Sequence, residues 1–337
     1  MSFASVEAVE QALQSIGEPD SAVMAAARRR QDSLTKPRGS LGRLEDIALF
    51  MAGWQGRATP RLDTGKIVVF AGNHGVAGLG VSAFPVAVTG QMVANFKAGG
   101  AAINALAAVA GLALDVVALD LDQPTADFTL GPALSVDECL AAMSAGARTV
   151  ESGLDLIVLG EMGIGNSTAA AALAARSFGG SATQWTGPGT GLDGEGIARK
   201  IAVVEAGLAR HRDAPATPFE TLRRLGGREI AAIAGAVLRA RQLRIPVLLD
   251  GFICCAAIAP FASENPAITA HCLAGHRSAE PGHIRLLDRL GLRPLLDLDM
   301  RLGEASGAAL AATLVRAALA THSGMASFAE AGVEDRE

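Results

Sequence analysis

Residues 154–171, Leu-Asp-Leu-Ile-Val-Leu-Gly-Glu-Met-Gly-Ile-Gly-Asn-Ser-Thr-Ala-Ala-Ala, run from an apolar strand through a glycine-rich turn into an alanine-rich helix. A strand that is apolar on successive residues needs cover on both faces, which demands a sheet between helices. The pattern recurs. Apolar runs at 67–70, 114–121, 156–159 and 247–249, with further candidates at 268–273 and 295–298, are separated by helical patterns at 135–151, 168–176, 195–210, 228–241 and 278–290. This alternation predicts an α/β fold with a parallel, doubly wound, Rossmann-like sheet flanked by helices, whose ligands bind beyond the carboxyl ends of the strands.

Residues 60–303 are expected to form this large domain. The flanks, 1–59 and 304–337, are helical by pattern, with a break at 35–45, and are expected to pack together as a small helical domain. A Pro/Ala-rich connection at 213–218 reads as surface.

The turn at 160–168 carries the first chemistry. Gly163 and Gly165 permit close backbone approach, and Asn166, Ser167 or Thr168 can cap the following helix, whose N-terminus attracts phosphate. The residues are equally those of an ordinary tight turn. A P-loop is excluded, since Asn166 and Ser167 follow Gly165 where Lys and Ser or Thr would stand. A dinucleotide fingerprint fits badly: the third glycine is missing, and the next strand-like segment, 182–186, runs into Gly187 and not an acid. A mononucleotide or sugar phosphate fits better. Glu161, a carboxylate at a strand end beside this anion site, reads as chemical.

Other polar loops fall at the same expected edge: 70–76, which includes Asn73 and His74, Leu249-Asp250-Gly251-Phe252, 186–193 and 274–283. Ser278 either caps a helix with Pro281 in its first turn or touches phosphate. His74 is open between ligand, hydrogen-bonding residue and plain loop residue. In 300–310, Glu304 is placed in the first turn of a small-residue helix. There it either complements the macrodipole or, with Gly303, Ala305 and Gly307 leaving room for a flat ligand, serves as a base whose pKa is raised by apolar surroundings.

A net charge of -5 and the lack of a basic, aromatic-interleaved run argue against nucleic acid. The longest apolar run, 105–114, is too short to cross a bilayer, and the acidic start with Glu7, Glu10, Glu18 and Asp20 does not read as a secretory signal. A cytoplasmic protein is expected, without membrane partners. Cys139, Cys254, Cys255 and Cys272 fit no zinc spacing and read as buried thiols. His271, His276 and His283 form no recognisable ligand set, so no metal is expected.

With these segments in hand, the chain resembles the nicotinate-nucleotide–dimethylbenzimidazole phosphoribosyltransferase family over nearly its whole length. The resemblance is carried by Lys36-Pro37-Arg38-Gly39-Ser40-Leu41-Gly42-Arg43-Leu44-Glu45, Asn73-His74-Gly75-Val76, Val81-Ser82-Ala83-Phe84-Pro85, Gly160-Glu161-Met162-Gly163-Ile164-Gly165-Asn166, Leu248-Leu249-Asp250-Gly251-Phe252, Ser278-Ala279-Glu280 and Met300-Arg301-Leu302-Gly303-Glu304. It implies a homodimer with a large parallel-sheet domain and a small domain from the chain ends. It also implies transfer of 5-phosphoribose from nicotinate mononucleotide to 5,6-dimethylbenzimidazole, with inversion at C1' and no metal or organic cofactor. Glu304 then resembles the general base, while Glu161 stabilises positive charge on the ribose or assists at the azole. Gly163, Gly165, Asn166, Ser167, Lys200, Asp250 and Ser278 resemble the phosphate and nucleotide set, and Ser82, Pro85, Met92 and Leu302 the base pocket. Three residues depart from the family pattern: Asn73 where Asp is common, Ser167 where Thr is frequent, and Phe84 where Tyr or Trp is usual. A nicotinamide-dependent oxidoreductase, a non-catalytic nucleotide-binding module and the same transferase with another azole acceptor are the competing readings.

Overall fold

The computed structural model describes residues 2–15 and 17–334, so Met1, Ile16 and 335–337 of the expected flanking helices lie outside the described residues. Six strands, β1 (Gly65–Ala71), β2 (Ala113–Ala118), β3 (Leu156–Met162), β4 (Val247–Leu249), β5 (Cys272–His276) and β6 (Pro294–Leu296), form one sheet in the order β2-β1-β3-β4-β5-β6. Every neighbouring pair is parallel. The chain lays β2 on one side of β1 and then returns to place β3 on the other. In sheets with such a reversal, ligands bind beyond the carboxyl ends of the strands.

Helices α1 (Val6–Gln14), α2 (Ser21–Ser33) and α3 (Arg43–Gln55) precede the sheet, and α4 (Ala87–Ala98) and α5 (Ala102–Ala110) join β1 to β2. After β2 comes α6 (Val136–Arg148). Between β3 and β4 the chain makes α7 (Asn166–Phe178), α8 (Ala182–Trp185), α9 (Gly194–Arg210), α10 (Pro218–Leu225) and α11 (Arg228–Leu243). Then α12 (Phe252–Glu264) and α13 (Pro281–Leu290) connect the last strands, and α14 (Ser306–Gly324) and α15 (Phe328–Ala331) end the chain.

Alternate side chains of a strand point to opposite faces, and the core divides accordingly. Val68, Phe70, Ile157, Leu159, Val247 and Leu249 pack with α6, α7, α11 and α12. Ile67, Val69, Leu156, Val158 and Leu248 pack with α3, α5 and α14. The first half of α14 thus covers the sheet. Its far end is tied to α2, where Arg30 donates to the carbonyls of His322 (2.8 Å) and Ser323 (2.9 Å) and Gln31 Nε2 meets His322 Nδ1 at 2.8 Å.

Several expectations change here. Residues 182–185 form α8 and not a strand: Ser181 and Gln184 make a capping box, and Trp185 is buried with its indole N–H on Gly179 O at 2.8 Å. Most of 268–273 is a 3-10 turn, Pro266–His271, started by Asn265 and Pro266, and the strand follows it. The run at 114–121 is an edge strand that stops at Ala118 and is half exposed. The apolar stretch Ala87–Ala110 has the length and hydropathy of a membrane span. It is broken at Gly99 (φ +81) into helices of 12 and 9 residues, each well short of the roughly 30 Å that a span requires at 1.5 Å per residue.

Cys139, Cys254, Cys255 and Cys272 are free and buried in the core, and burial raises the pKa of each thiol. His283 Nε2 lies 3.4 Å from Cys255 Sγ.

Candidate functional site

An open cleft lies over the carboxyl ends of β3 to β6. Its walls include Glu161 at the end of β3 and Gly163 after it, Asn166 and Ser167 at the start of α7, Gly251 after β4, His276 as the last residue of β5, and Ser278 and Glu280 after it. Arg301, Leu302 and Gly303 close it after β6. These segments are far apart in sequence, and the parallel sheet brings their ends to one edge.

The phosphate side is the start of α7. No side chain caps this helix: its N-cap is Gly165 at φ +97, so Asn166, Ser167 and Thr168 lie inside the helix. Amides in the first turn of a helix have no intrahelical acceptor and carry the positive end of its dipole. Lys200, from α9, stands behind this turn and not in the wall. Its Nζ donates to Ser167 Oγ (2.8 Å) and to Gly187 O (3.1 Å). Burial lowers its pKa to about 8, against an upward pull from Glu280. A dianion at α7 would find a cation one hydrogen bond away.

Ser278 does not cap α13; that position belongs to Glu280, with Pro281 as the first helical residue. Ser278 N donates to His283 Nδ1 at 3.0 Å, and Glu280 N donates to Ser278 Oγ at 3.2 Å. Because the serine oxygen accepts that bond, its own O–H proton is left for a partner in the cleft.

Carboxylates crowd the floor. Glu161 is buried, and Asn166 Nδ2 donates to its Oε2. Burial, then the nearby Asp250 and Glu229 charges, push its pKa up to about 8. Asp250 is wholly buried, raised to about 7 by desolvation against the pull of the Ala308, Gly307 and Ala305 amides. It faces α14, not the cleft. Glu304 adjoins the wall residue Gly303, with its N–H on Glu161 O at 3.2 Å, and burial raises its pKa to about 7. It is not in the first turn of a helix: Gly303, Glu304 and Ala305 are all left-handed (φ +83, +62 and +64), and α14 starts at Ser306. A β-carbon on Gly160 would collide with Ala305, so the glycine lets this turn settle onto β3.

The cleft therefore gathers Glu161, Gly163, Asn166, Ser167, Ser278 and Leu302 in its walls, with Gly165, Lys200, Asp250 and Glu304 immediately behind. Ser82, Pro85 and Met92 do not line it; Ser82 and Pro85 lie in the loop before α4, and Met92 is half-buried on that helix. Helix α4 still reaches the site, because Thr89 Oγ1 accepts from Ile164 N at 3.2 Å. Three wall residues, His276, Glu280 and Arg301, are not singled out by the sequence as site residues. Their one signal is their position inside segments that are. His74 is a hydrogen-bonding residue, its Nε2 2.6 Å from Glu229 Oε1, with both side chains buried. Asn73 is also structural, donating to Leu121 O at 2.9 Å. Among the described residues no three His, Cys, Asp or Glu side chains converge as a metal set.

A parallel α/β sheet with an uncapped helix N-terminus, a backing lysine and proton-holding carboxylates at one strand edge is the outline of a phosphoribosyl-transferring enzyme. Accordingly, a family model described as a phosphoribosyltransferase matches residues 16–333. Relatives named nicotinate-nucleotide–dimethylbenzimidazole phosphoribosyltransferase occur in Novosphingobium aromaticivorans, 69% identical over 99% of this chain and 98% of the relative, and in Mesorhizobium japonicum, 57% identical over 100% of both. The crystal structure of CobT from Thermus thermophilus is 43% identical, with a TM-score of 0.87 over 94% of this chain and 100% of that one. The chain belongs to the nicotinate-nucleotide–dimethylbenzimidazole phosphoribosyltransferase family.

Proposed function

We propose that this chain transfers the 5-phosphoribosyl group of nicotinate mononucleotide to 5,6-dimethylbenzimidazole, releasing nicotinate and forming α-ribazole 5'-phosphate with inversion at C1'. The observation that carries this reading is one cleft flanked by an uncapped helix N-terminus backed by Lys200 and by the buried carboxylate of Glu304. One end suits a phosphate and the other a proton, which are the two requirements of the reaction.

The phosphate sits on the α7 amides with Ser167, Ser278 and Lys200. An azole ring nitrogen forms the new bond to C1' while the bond from C1' to the pyridinium nitrogen breaks, its electrons returning to the nicotinate ring. The leaving group needs no proton. The azole N–H proton passes to Glu304, whose pKa near 7 balances being ionised against holding a proton. Glu161, held up to about 8, is mostly protonated at neutral pH in the empty cleft. A pyridinium nucleotide draws it toward the ionised form, which then stabilises the positive charge that spreads onto the ribose. Leu302 contacts the acceptor from the wall, with Ser82, Pro85 and Met92 as outer contacts. Asp250 supports the site from behind.

The same proposal includes a cytoplasmic location, a division into residues 60–303 and the two chain ends, and a homodimer, for which the exposed Phe84, Leu298 and Leu302 side chains are the supporting observation. Light scattering on the purified protein tests the dimer.

The functional test is incubation with nicotinate mononucleotide and 5,6-dimethylbenzimidazole without added metal, following nicotinate and α-ribazole phosphate by chromatography with mass spectrometry. Both products are expected in equal amounts. A different azole acceptor is favoured by the complete absence of tyrosine and by a half-exposed Phe84, so an azole panel accompanies the assay. Nucleotide binding without turnover on any azole would leave a binding module.

A further inference from the structure

Helix α14 has no cap of its own, and the three residues that lead into it, Gly303, Glu304 and Ala305, are all left-handed. Residues bearing a β-carbon avoid that region, so two such residues in succession persist only where the surroundings impose the turn. Part of the constraint is local, since Ser306 N donates to Gly303 O at 2.9 Å, and part comes from β3, where Glu161 O accepts from Glu304 N at 3.2 Å. The rest comes from another strand. Asp250, at the end of β4, accepts from Ala308 N at 2.9 Å, and the Gly307 and Ala305 amides face the same carboxylate. It is wholly buried, and the titratable groups around it include Glu161, Glu304 and His276, whose Nδ1 is 3.5 Å from Asp250 Oδ1.

We propose that Asp250 is a positioning residue: it caps α14 from β4, locks the left-handed turn at 303–305, and so fixes the Glu304 carboxylate at the cleft without touching the nucleotide. Sequence placed Asp250 in the nucleotide-binding set. The geometry assigns it to the helix that follows Glu304, a carboxylate donated by one element to the orphan amides of another. The inference rests on Glu304 being the base of the proposed reaction.

The test compares Asp250→Ala with Asp250→Asn, which keeps an acceptor oxygen for Ala308. Asp250→Ala is expected to lower kcat about 100-fold through misplacement of Glu304, with the KM for nicotinate mononucleotide within about threefold of the unaltered protein. Asp250→Asn should recover activity to within about tenfold, with the acid limb of the pH profile unmoved because the titrating base is still Glu304. Hydrogen exchange at 305–308 should accelerate in Asp250→Ala and much less in Asp250→Asn. If Asp250→Ala does not fold, Asp250→Ser, too short to reach the amide, takes its place.

A raised KM with kcat retained would make Asp250 a nucleotide ligand and overturn the proposal. So would an Asp250→Asn enzyme as inactive as Asp250→Ala but with normal exchange, which would give Asp250 a proton-transfer role. Unchanged protection of 305–308 in Asp250→Ala defeats the cap whatever reaction is catalysed. A fully active Glu304→Gln enzyme instead removes the base assignment and leaves the exchange result standing, so the two failures are distinguishable.

Discussion

Two helices begin at the cleft, α7 after β3 and α14 after β6, and they start alike: each is entered through left-handed backbone and neither has a side-chain cap of its own. They differ in what lies on the helix axis. The first turn of α7 borders the cleft, with Lys200 behind it. The first turn of α14 is already filled by Asp250. An open N-terminus attracts an anion. At α14 the internal carboxylate takes that interaction, so Glu304 two residues upstream responds to burial and titrates near 7. In the proposed reaction the same backbone feature thus serves binding at one end and proton transfer at the other.

The largest effect that bears on this contrast is expected from Glu304→Gln: kcat falls about 10³-fold while the dissociation constant for nicotinate mononucleotide stays within about threefold. Equal loss of binding, measured by calorimetry, would erase the division between the two ends. Lys200→Ala should do the converse and weaken nucleotide binding about 10- to 100-fold, as expected for loss of a charge-assisted contact, with kcat at saturation less affected. A pure rate loss would move Lys200 to the proton side.

The pH dependence sharpens the comparison further. As the proposed base, Glu304 must be ionised to act, so kcat should fall as pH drops through about 7. Stability in the empty protein should run the other way. Glu161 and Asp250 keep their protons up to about 8 and 7 in the fold, against ordinary values of 4.5 and 3.8. The fold therefore holds more protons than the unfolded chain between those limits. Their contribution is fully present below pH 4 and is lost as pH rises toward 8. Denaturant midpoints across that window check the sign, and Glu161→Gln should flatten the upper part of the decline.

The smallest effect is Gly165→Ala. It places a β-carbon at φ +97, 3.2 Å from the His74 side chain, and should cost about 1–2 kcal/mol of stability by denaturant titration. No measurable cost would mean that the entrance to α7 is not held in its left-handed form.

Much of this architecture was legible in the sequence because strands covered on both faces read as short apolar runs; 67–70, 156–159 and 247–249 all lie within or coincide with strands. Segments whose periodicity is too short to decide misled. Residues 182–186 look like a strand, yet a capping box and the anchored Trp185 indole make a helix. Residues 268–273 are apolar enough for a strand, but Asn265 and Pro266 fold most of them into a 3-10 turn.

At the cleft, the glycine turn and Glu161 could be read from residue type, because few purposes place an acid at the end of a buried strand. The direction of Asp250 could not, since nothing local to Leu-Asp-Gly-Phe tells whether the carboxylate faces a ligand or a distant helix. Nor could the left-handed turn at Glu304, because neither Glu nor Ala favours that backbone and the constraint comes from β3 and β4.

The buried thiols have a practical consequence. All four cysteines are sealed in the core, with thiolate formation suppressed by burial. Reagents that attack thiolates should leave the folded protein untouched. The natural chain is therefore already a silent background for labelling: a single cysteine introduced on the exposed loop before α4, at Ala83, would carry a fluorophore alone, with no native cysteine to remove first.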